Sequence, residues 1–355
     1  MNISSFNESY NRQIYIWLLT CAGLIFCMIL LGGVTRLTHS GLSMVEWKPL
    51  MGIIPPLNSK EWQQSFDLYK LYPEYQKINI GMSIEDYKYI FMYEYLHRIL
   101  GRIIGIAFFI PFLFFYFTGR IKKSLTPKLL IIFALGGFQG FLGWYMVKSG
   151  LVNVPSVSQY RLTAHLGNAV IIYGYILWIA FGLMGNSKRS PVKPISNITK
   201  SIRISAYVIT TLLFFMILSG GLVAGTKAGL AYSTFPLMGE TFIPTGLYNL
   251  SPFWLSAFED ITTIQFNHRM FAYLLFAIIV IFVTNAILKL DSRLLKKSLI
   301  CMLILLIIQI LLGIATIIMH VPVSFAAAHQ SCAIALLTTS LFLSRYFYDH
   351  SIHNA

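Results

Sequence analysis

Charge is scarce in this chain, and acidic charge is scarcest. Only 11% of its 355 residues are charged and 13 are acidic, where a soluble domain carries about 25% charged residues. That shortage excludes an ordinary soluble globular protein. Cysteine is sparse too. Cys21, Cys27, Cys301 and Cys332 all lie inside apolar runs, with no CxxC or CxxCH pair. The spacing excludes a cysteine-held metal cluster and a covalently attached cofactor, and leaves the four as small buried hydrophobes. The first apolar run follows Arg12 but has no small-residue cleavage site. It is also longer than a signal-peptide core, so it reads as a retained span.

Apolar residues are what the chain has. They make up 56% of it, and the mean hydropathy is +0.68. A spanning helix needs about 20 mostly apolar residues. Eight runs qualify: 14–35, 92–117, 127–147, 161–183, 204–225, 263–288, 298–319 and 325–345. The fold class is therefore an all-α integral membrane protein with eight transmembrane helices. The net charge of +14 does not point to nucleic acid, because the basic residues sit in short loops between spans. The loops 119–128, 184–203 and 289–297 hold thirteen Lys and Arg; the short loops on the other side hold Lys148, Arg161 and Lys227. That bias places both termini in the cytoplasm of an inner (cytoplasmic) membrane, in contact with lipid. The long segment 36–91 then lies outside. It is rich in Trp and Tyr (Trp47, Trp62, Tyr69, Tyr72, Tyr75, Tyr87, Tyr89), which predicts short helices on the outer membrane surface in preference to disorder.

The two halves echo each other in order. GGVTRLTHSGLS at 32–43 returns as GGLVAGTKAGLA at 220–231, and KPLMG at 48–52 as FPLMG at 235–239. HR at 97–98 returns at 268–269, QGFLG at 139–143 as QILLG at 309–313, and AHLG at 164–167 as AHQS at 328–331. Four spans per half make this a parallel repeat about an axis near the membrane normal. The expected architecture is two pseudo-symmetric four-helix bundles, 1–183 and 204–355, joined by a cytoplasmic linker at 184–203.

His97, His165, His268 and His329 fall in spans 2, 4, 6 and 8, each about five residues after its span begins. At 1.5 Å per residue that is roughly 8 Å below the outer surface. An ionisable residue within a span suggests a functional site. Two imidazoles at one level in each bundle are what bis-histidine haem ligation requires. One such histidine alone could simply hydrogen-bond across helices. Zinc would need a third or fourth protein ligand, and only Glu94 offers itself. His39, His320, His350 and His353 read as interfacial or solvated, with His320 near enough in depth to approach the second site. Arg36, Arg98, Arg102, Lys227 and Arg269 gather at the same end. They are candidate partners for haem propionates, or snorkel to the headgroups. Gly32, Gly33, Gly220 and Gly221 allow close approach of a helix or a flat macrocycle. Aligning the halves on His97 and His268 sets Glu94 against Gln265. Glu94 is three residues before His97, on the same helical face. A carboxylate there can accept a proton or steady a developing positive charge, or it pairs with a nearby arginine.

With GGVTRLTHSGLSMVEWKPLMGIIPP at 32–56, EYLHRILGR at 94–102, QGFLGWYMVKSGL at 139–151, Ala164–His165, QFNHRMFAY at 265–273 and AAAHQ at 326–330, the chain resembles the haem A synthase family over nearly its whole length. Its 57–91 insertion looks like that of the alphaproteobacterial and mitochondrial branch, and it lacks the first-loop cysteine pair of some bacterial members. The resemblance implies an oxidoreductase acting on a CH or CH2 group. Its reaction would convert the C8 methyl group of haem O to formyl, with oxygen from water. His268 and His329 would ligate a resident haem B that relays electrons, His97 and His165 would hold haem O, and Glu94 would be catalytic. It also implies haem O synthase, the preceding farnesyl transferase, as a protein partner, and leaves a homo-oligomer open. Other classes remain: a di-haem cytochrome between quinol and a partner, a transporter, or a haem-binding chaperone.

Overall fold

All eight apolar runs are α-helices, each of them longer than its run. The structure, a computed structural model, describes residues 3–45, 53–151, 155–185 and 199–352. Trp47, the KPLMG motif at 48–52, most of the proposed linker and His353 lie outside the described residues. Helix α1 (Ile3–Leu37) is followed by two short helices, α2 (Ser59–Tyr69) and α3 (Pro73–Lys77). Then come α4 (Ile84–Phe117), α5 (Thr126–Gly150), α6 (Gln159–Gly185) and α7 (Lys200–Thr226). After a loop and the short α8 (Ser256–Glu259), the chain ends with α9 (Ile261–Lys289), α10 (Arg293–Ile318) and α11 (Val323–Ile352). The eight long helices are each apolar enough to cross a membrane.

Local signals set their ends. The Thr199, Asp260 and Ser292 side chains accept hydrogen bonds from backbone N–H groups in the first turns of α7, α9 and α10, which satisfies donors a helix start would otherwise leave open. Lys227 closes α7 in a left-handed conformation, with φ 59°. His39, its counterpart just after α1, has φ 53°. Both chain turns therefore leave the bundle in the same way.

Within the first half α1 packs on α4 and α6, and α5 on α6; within the second, α7 packs on α9 and α11, and α10 on α11. Between the halves α6 meets α7 and α11, and α11 meets α1. One continuous apolar core runs through both, including the fully buried Leu18, Leu129, Ile176, Ile209, Ile279, Leu299 and Phe347. In lipid such packing and a few interhelical hydrogen bonds hold helices together. Tyr173 and Thr338 hydroxyls meet at 2.7 Å, and Thr210 meets Ser340 at 2.7 Å and Ser344 at 2.8 Å. Gln330 of α11 donates to the Ile29 carbonyl of α1 at 2.9 Å. Gly33 makes this contact tolerable, since a Cβ there would collide with the Gln330 amide.

The outer segment departs from expectation at its end. Residues 84–91, assigned to the outer segment with its short surface helices, are the first two turns of α4. Ser83 accepts from the Asp86 N–H at 3.1 Å, and Glu85 and Asp86 stand in the first turn. That is a helix-start signal strong enough to extend the span outward. The short helices do form, and their aromatic side chains bury one another against this extension. Tyr87 stacks on Phe66 and Tyr69 at ring separations of 5.0 and 5.1 Å, and Trp62 meets Phe91 edge-on at 5.1 Å. Glu74 is buried in this cap and accepts from the Tyr69 hydroxyl at 3.2 Å. Burial pushes its carboxyl up to about 7, with the Glu94 charge adding to the shift and the Tyr69 hydrogen bond opposing it. A carboxyl raised in the folded state stabilises the cap while protonated, and that stability is lost as pH rises from the ordinary carboxylate range to about 7. Amide hydrogen exchange in α2 and α3 is thus expected to speed up between pH 5 and pH 8 beyond the intrinsic change. Glu74→Gln should abolish the difference; an unchanged profile in that variant would contradict the assignment.

Candidate functional site

The four span histidines all project from helices that start on the side of the outer cap. His165, His268 and His329 lie in the second turns of α6, α9 and α11. His97 lies in the fourth turn of α4, because that helix begins earlier than expected. His97 and His165 are within electrostatic range of each other, as are His268 and His329. Each half therefore brings its two imidazoles together.

Every ring packs against a glycine of a neighbouring helix. A Cβ at Gly32 would come 3.2 Å from His97 Nε2, one at Gly143 3.1 Å from His165 Cε1, one at Gly220 3.5 Å from His268 Cε1, and one at Gly313 2.8 Å from His329 Cε1. The hydrogen bonds around α6 and α11 also recur. Gln139 Nε2 is 3.3 Å from His165 Nε2, and Gln309 Nε2 is 3.3 Å from His329 Nε2. Asn168 Nδ2 donates to the Leu135 carbonyl, and Cys332 Sγ at the aligned position donates to the Leu305 carbonyl. Among the described residues no three His, Cys, Asp or Glu side chains converge on a metal-ion position. Paired neutral imidazoles suit haem iron. In the second pair both rings are engaged through Nδ1, His329 by the Gln309 carbonyl at 3.0 Å and His268 by Ser219 Oγ at 2.6 Å, which suits ligation through Nε2 once the Gln309 amide at His329 Nε2 turns aside.

Glu94 is 3% exposed and accepts three hydrogen bonds. Ser43 Oγ and the Met44 N–H reach Oε2 at 2.8 Å each, and Arg98 Nη2 reaches Oε1 at 2.6 Å. Arg98 also donates to the Met44 carbonyl at 2.8 Å. The carboxylate thus ties the loop after α1 onto α4. In the other half Gln265 Nε2 donates to the Tyr232 carbonyl at 3.0 Å, and Arg269 donates to the carbonyls of Tyr232, Thr234 and Leu237. Tyr232 aligns with Met44. The two loops are clamped alike, by a carboxylate and arginine in one half and an amide and arginine in the other.

The basic candidates divide. Arg98 and Arg269 are loop clamps in this structure, although Arg269 Nε is buried without a hydrogen-bond partner among the described residues. Arg36 reaches across to the carbonyls that end α7, Ala224 at 3.0 Å and Gly225 at 3.4 Å. Lys227 stands near it: partial desolvation of the His39 ring, then the charges of Lys227 and Arg36, push that imidazole down, although the residue as a whole is open to solvent. Arg102 lies one turn beyond Arg98 on α4. Of the other histidines, His39 is exposed, His320 is exposed at the end of α10, and His350 stacks on Tyr346 with ring centroids 4.0 Å apart. Sequence reasoning missed Ser43, Ser219, Gln139 and Gln309. The two glutamines head repeated QxxLG motifs and were legible as such. Ser43 and Ser219 stand at positions where the two halves differ and carry no repeat signal.

These features define a polytopic helical membrane protein with a paired-imidazole site in each half. The chain belongs to the cytochrome oxidase assembly protein family (COX15-CtaA), whose sequence model matches residues 15–341. It is 47% identical over 337 residues to a protein of Nitrosospira multiformis named "Heme A synthase", covering 94% of this chain and 93% of that one. Proteins of the same name from Nitrosomonas eutropha and Agrobacterium fabrum are 46% and 44% identical; the matches cover 96% and 94% of this chain and 96% and 90% of theirs.

The glycine contacts give a direct check. His329 is held by Gln309 and cannot retreat from a methyl at Gly313, so Gly313→Ala should destabilise the protein by about 1–3 kcal/mol, as overpacking does. Gly220→Ala has ordinary contact distance and should change stability by less than about 1 kcal/mol. Thermal unfolding of the two variants in detergent reads the contrast; equal midpoints would contradict the packing described.

Proposed function

We propose that the protein is a haem A synthase, an oxidoreductase that converts the C8 methyl group of haem O to the formyl group of haem A. The single observation that carries this beyond family membership is the asymmetry of two otherwise alike sites, with Glu94 in one and Gln265 in the other. The net change is R–CH3 + H2O → R–CHO + 4 H⁺ + 4 e⁻. It runs through an alcohol and a geminal diol that loses water.

In this reading the first bundle, 1–183, takes haem O between His97 and His165, and the second, 204–355, holds haem B between His268 and His329. Haem B, when bound, supplies one-electron transfer toward an acceptor. The exchange of α1–α11 and α6–α7 contacts on swapping the halves supports a pseudo-twofold relation between the bundles. The buried Arg269 Nε supports an anionic partner such as a propionate. Arg36, Arg98, Arg102 and Lys227 are the further candidates at that end. Glu94, already accepting three hydrogen bonds, is better placed to steady positive charge developing at the methyl carbon than to act as a free base. Oε2 already accepts two hydrogen bonds, so the position left for a proton is on Oε1, beside the Arg98 guanidinium. The charge bias of the loops supports cytoplasmic termini, with the haem sites near the outer face of the inner membrane. Exposed Leu57, Leu71, Ile78 and Ile80 support contact of the cap with the membrane surface. Haem O synthase is the supplier this chemistry needs.

Glu94→Gln keeps the shape of the side chain and removes its charge. Co-expressed with haem O synthase, this variant is expected to retain haem O and to lower haem A production by about 100-fold or more, the scale of losing one electrostatic stabiliser. Undiminished haem A in extracts of that variant would contradict the role of Glu94.

A further inference from the structure

The two imidazole sites differ in how their rings are held, and the difference lies in one side chain on the helix that precedes each outer loop. Ser219 of α7 is one residue before Gly220, the glycine against which His268 packs. Its hydroxyl donates to the Met216 carbonyl at 3.0 Å. A serine has one proton to donate, so Oγ faces His268 Nδ1, 2.6 Å away, as an acceptor. With that proton directed to Met216, His268 carries its own on Nδ1 and Nε2 keeps its lone pair, the tautomer that ligation through Nε2 needs. His329 is fixed in the same sense, because its Nδ1 meets a carbonyl oxygen that can only accept. Both rings of the second half are therefore locked in one tautomer and one orientation.

In the first half the position aligned with Ser219 is Leu31, one residue before Gly32, the glycine that packs on His97. Leucine has no atom that can accept an N–H. His165 Nδ1 is buried and makes no hydrogen bond of good geometry, although the Gln139 backbone lies beside it. The repeat has thus kept the imidazoles, their glycines and the glutamine contacts of His165 and His329, and differs where Leu31 stands in place of Ser219.

We infer that Ser219 is a positioning residue that makes the second half a permanent haem site, and that Leu31 at the matching place leaves the first half a site from which haem can exchange. The inference rests on the assignment of the resident haem to His268 and His329. A ring held through Nδ1 is a more basic and better-aimed ligand, and losing such a contact typically weakens metal binding about 10–100-fold. A site that must release its haem after each turnover gains from lacking it. A site that only passes electrons gains from having it.

The test uses the full-length protein purified with its haems. Transfer of haem to excess apomyoglobin is followed by absorbance, and the midpoint potential of the retained haem is measured by titration. Ser219→Ala should speed haem B transfer about 10–100-fold and raise its midpoint potential, since a less basic imidazole favours the ferric state less. Ser219→Thr keeps the accepting oxygen and should behave as the unchanged protein, which separates the hydrogen bond from general disturbance of α7. Leu31→Ser should slow release of the exchangeable haem. If Ser219→Ala matches the unchanged protein in both transfer rate and potential, the inference fails. If the protein retains no haem B, or retains it after both His268 and His329 are replaced by Ala, the underlying site assignment fails instead.

Discussion

A polar ring inside an apolar helical bundle has to be placed against something, and here each of four imidazoles is placed against a glycine of the next helix. This contact sets much of the outer half of the molecule. In a bilayer an unsatisfied polar group costs several kcal/mol, so histidines at this depth need ligands or hydrogen-bond partners. Glycine at 32, 143, 220 and 313 lets the rings lie flat beside a neighbouring helix without forcing the helices apart. The inner half needs no such device. There the helices meet through a continuous apolar core and a few paired hydroxyls.

The loops after α1 and α7 are built outward from these sites. Each is drawn down onto the histidine-bearing helix by an arginine one residue after the histidine and by a carboxylate or amide three residues before it. The loop clamp and the histidine therefore share one helical face. In the first half the clamp includes a buried carboxylate and carries the aromatic cap of α2, α3 and the extended α4. In the second it is a neutral amide under a shorter loop. Arg36 adds a tie between the halves, because the end of α1 donates to the carbonyl end of α7. The chain thus holds two similar clamps in one frame and gives only one of them a carboxylate and a substantial cover.

Much of this was legible in the sequence. The eight spans follow from composition in local windows, and the four histidines stood out because ionisable residues are rare in spans. The start of α4 was misread even though Ser83-Ile-Glu-Asp86 spells a helix start, because an apolar window marks where a helix enters lipid and not where it begins. The work of Arg98, Arg269 and Arg36 was not legible. Their partners here include backbone carbonyls of loops and of α7, and a carbonyl belongs to every residue type. Glu94 was singled out by its contrast with Gln265, but its bonds to Ser43 and Met44 arise from a fold that brings residues about fifty positions apart into contact. Ser219 was hidden for another reason: the repeat draws attention to what the halves share, and Ser219 matters because Leu31 does not match it.

The central claim is that one half keeps a haem and the other transforms one. It is tested most directly by extracting and chromatographing the haems of the purified protein, made together with haem O synthase in a host that produces no haem A. The account predicts haem B together with haem O and newly formed haem A. Haem B alone, at two per chain, would contradict it and make the protein a membrane cytochrome whose four histidines form an electron relay.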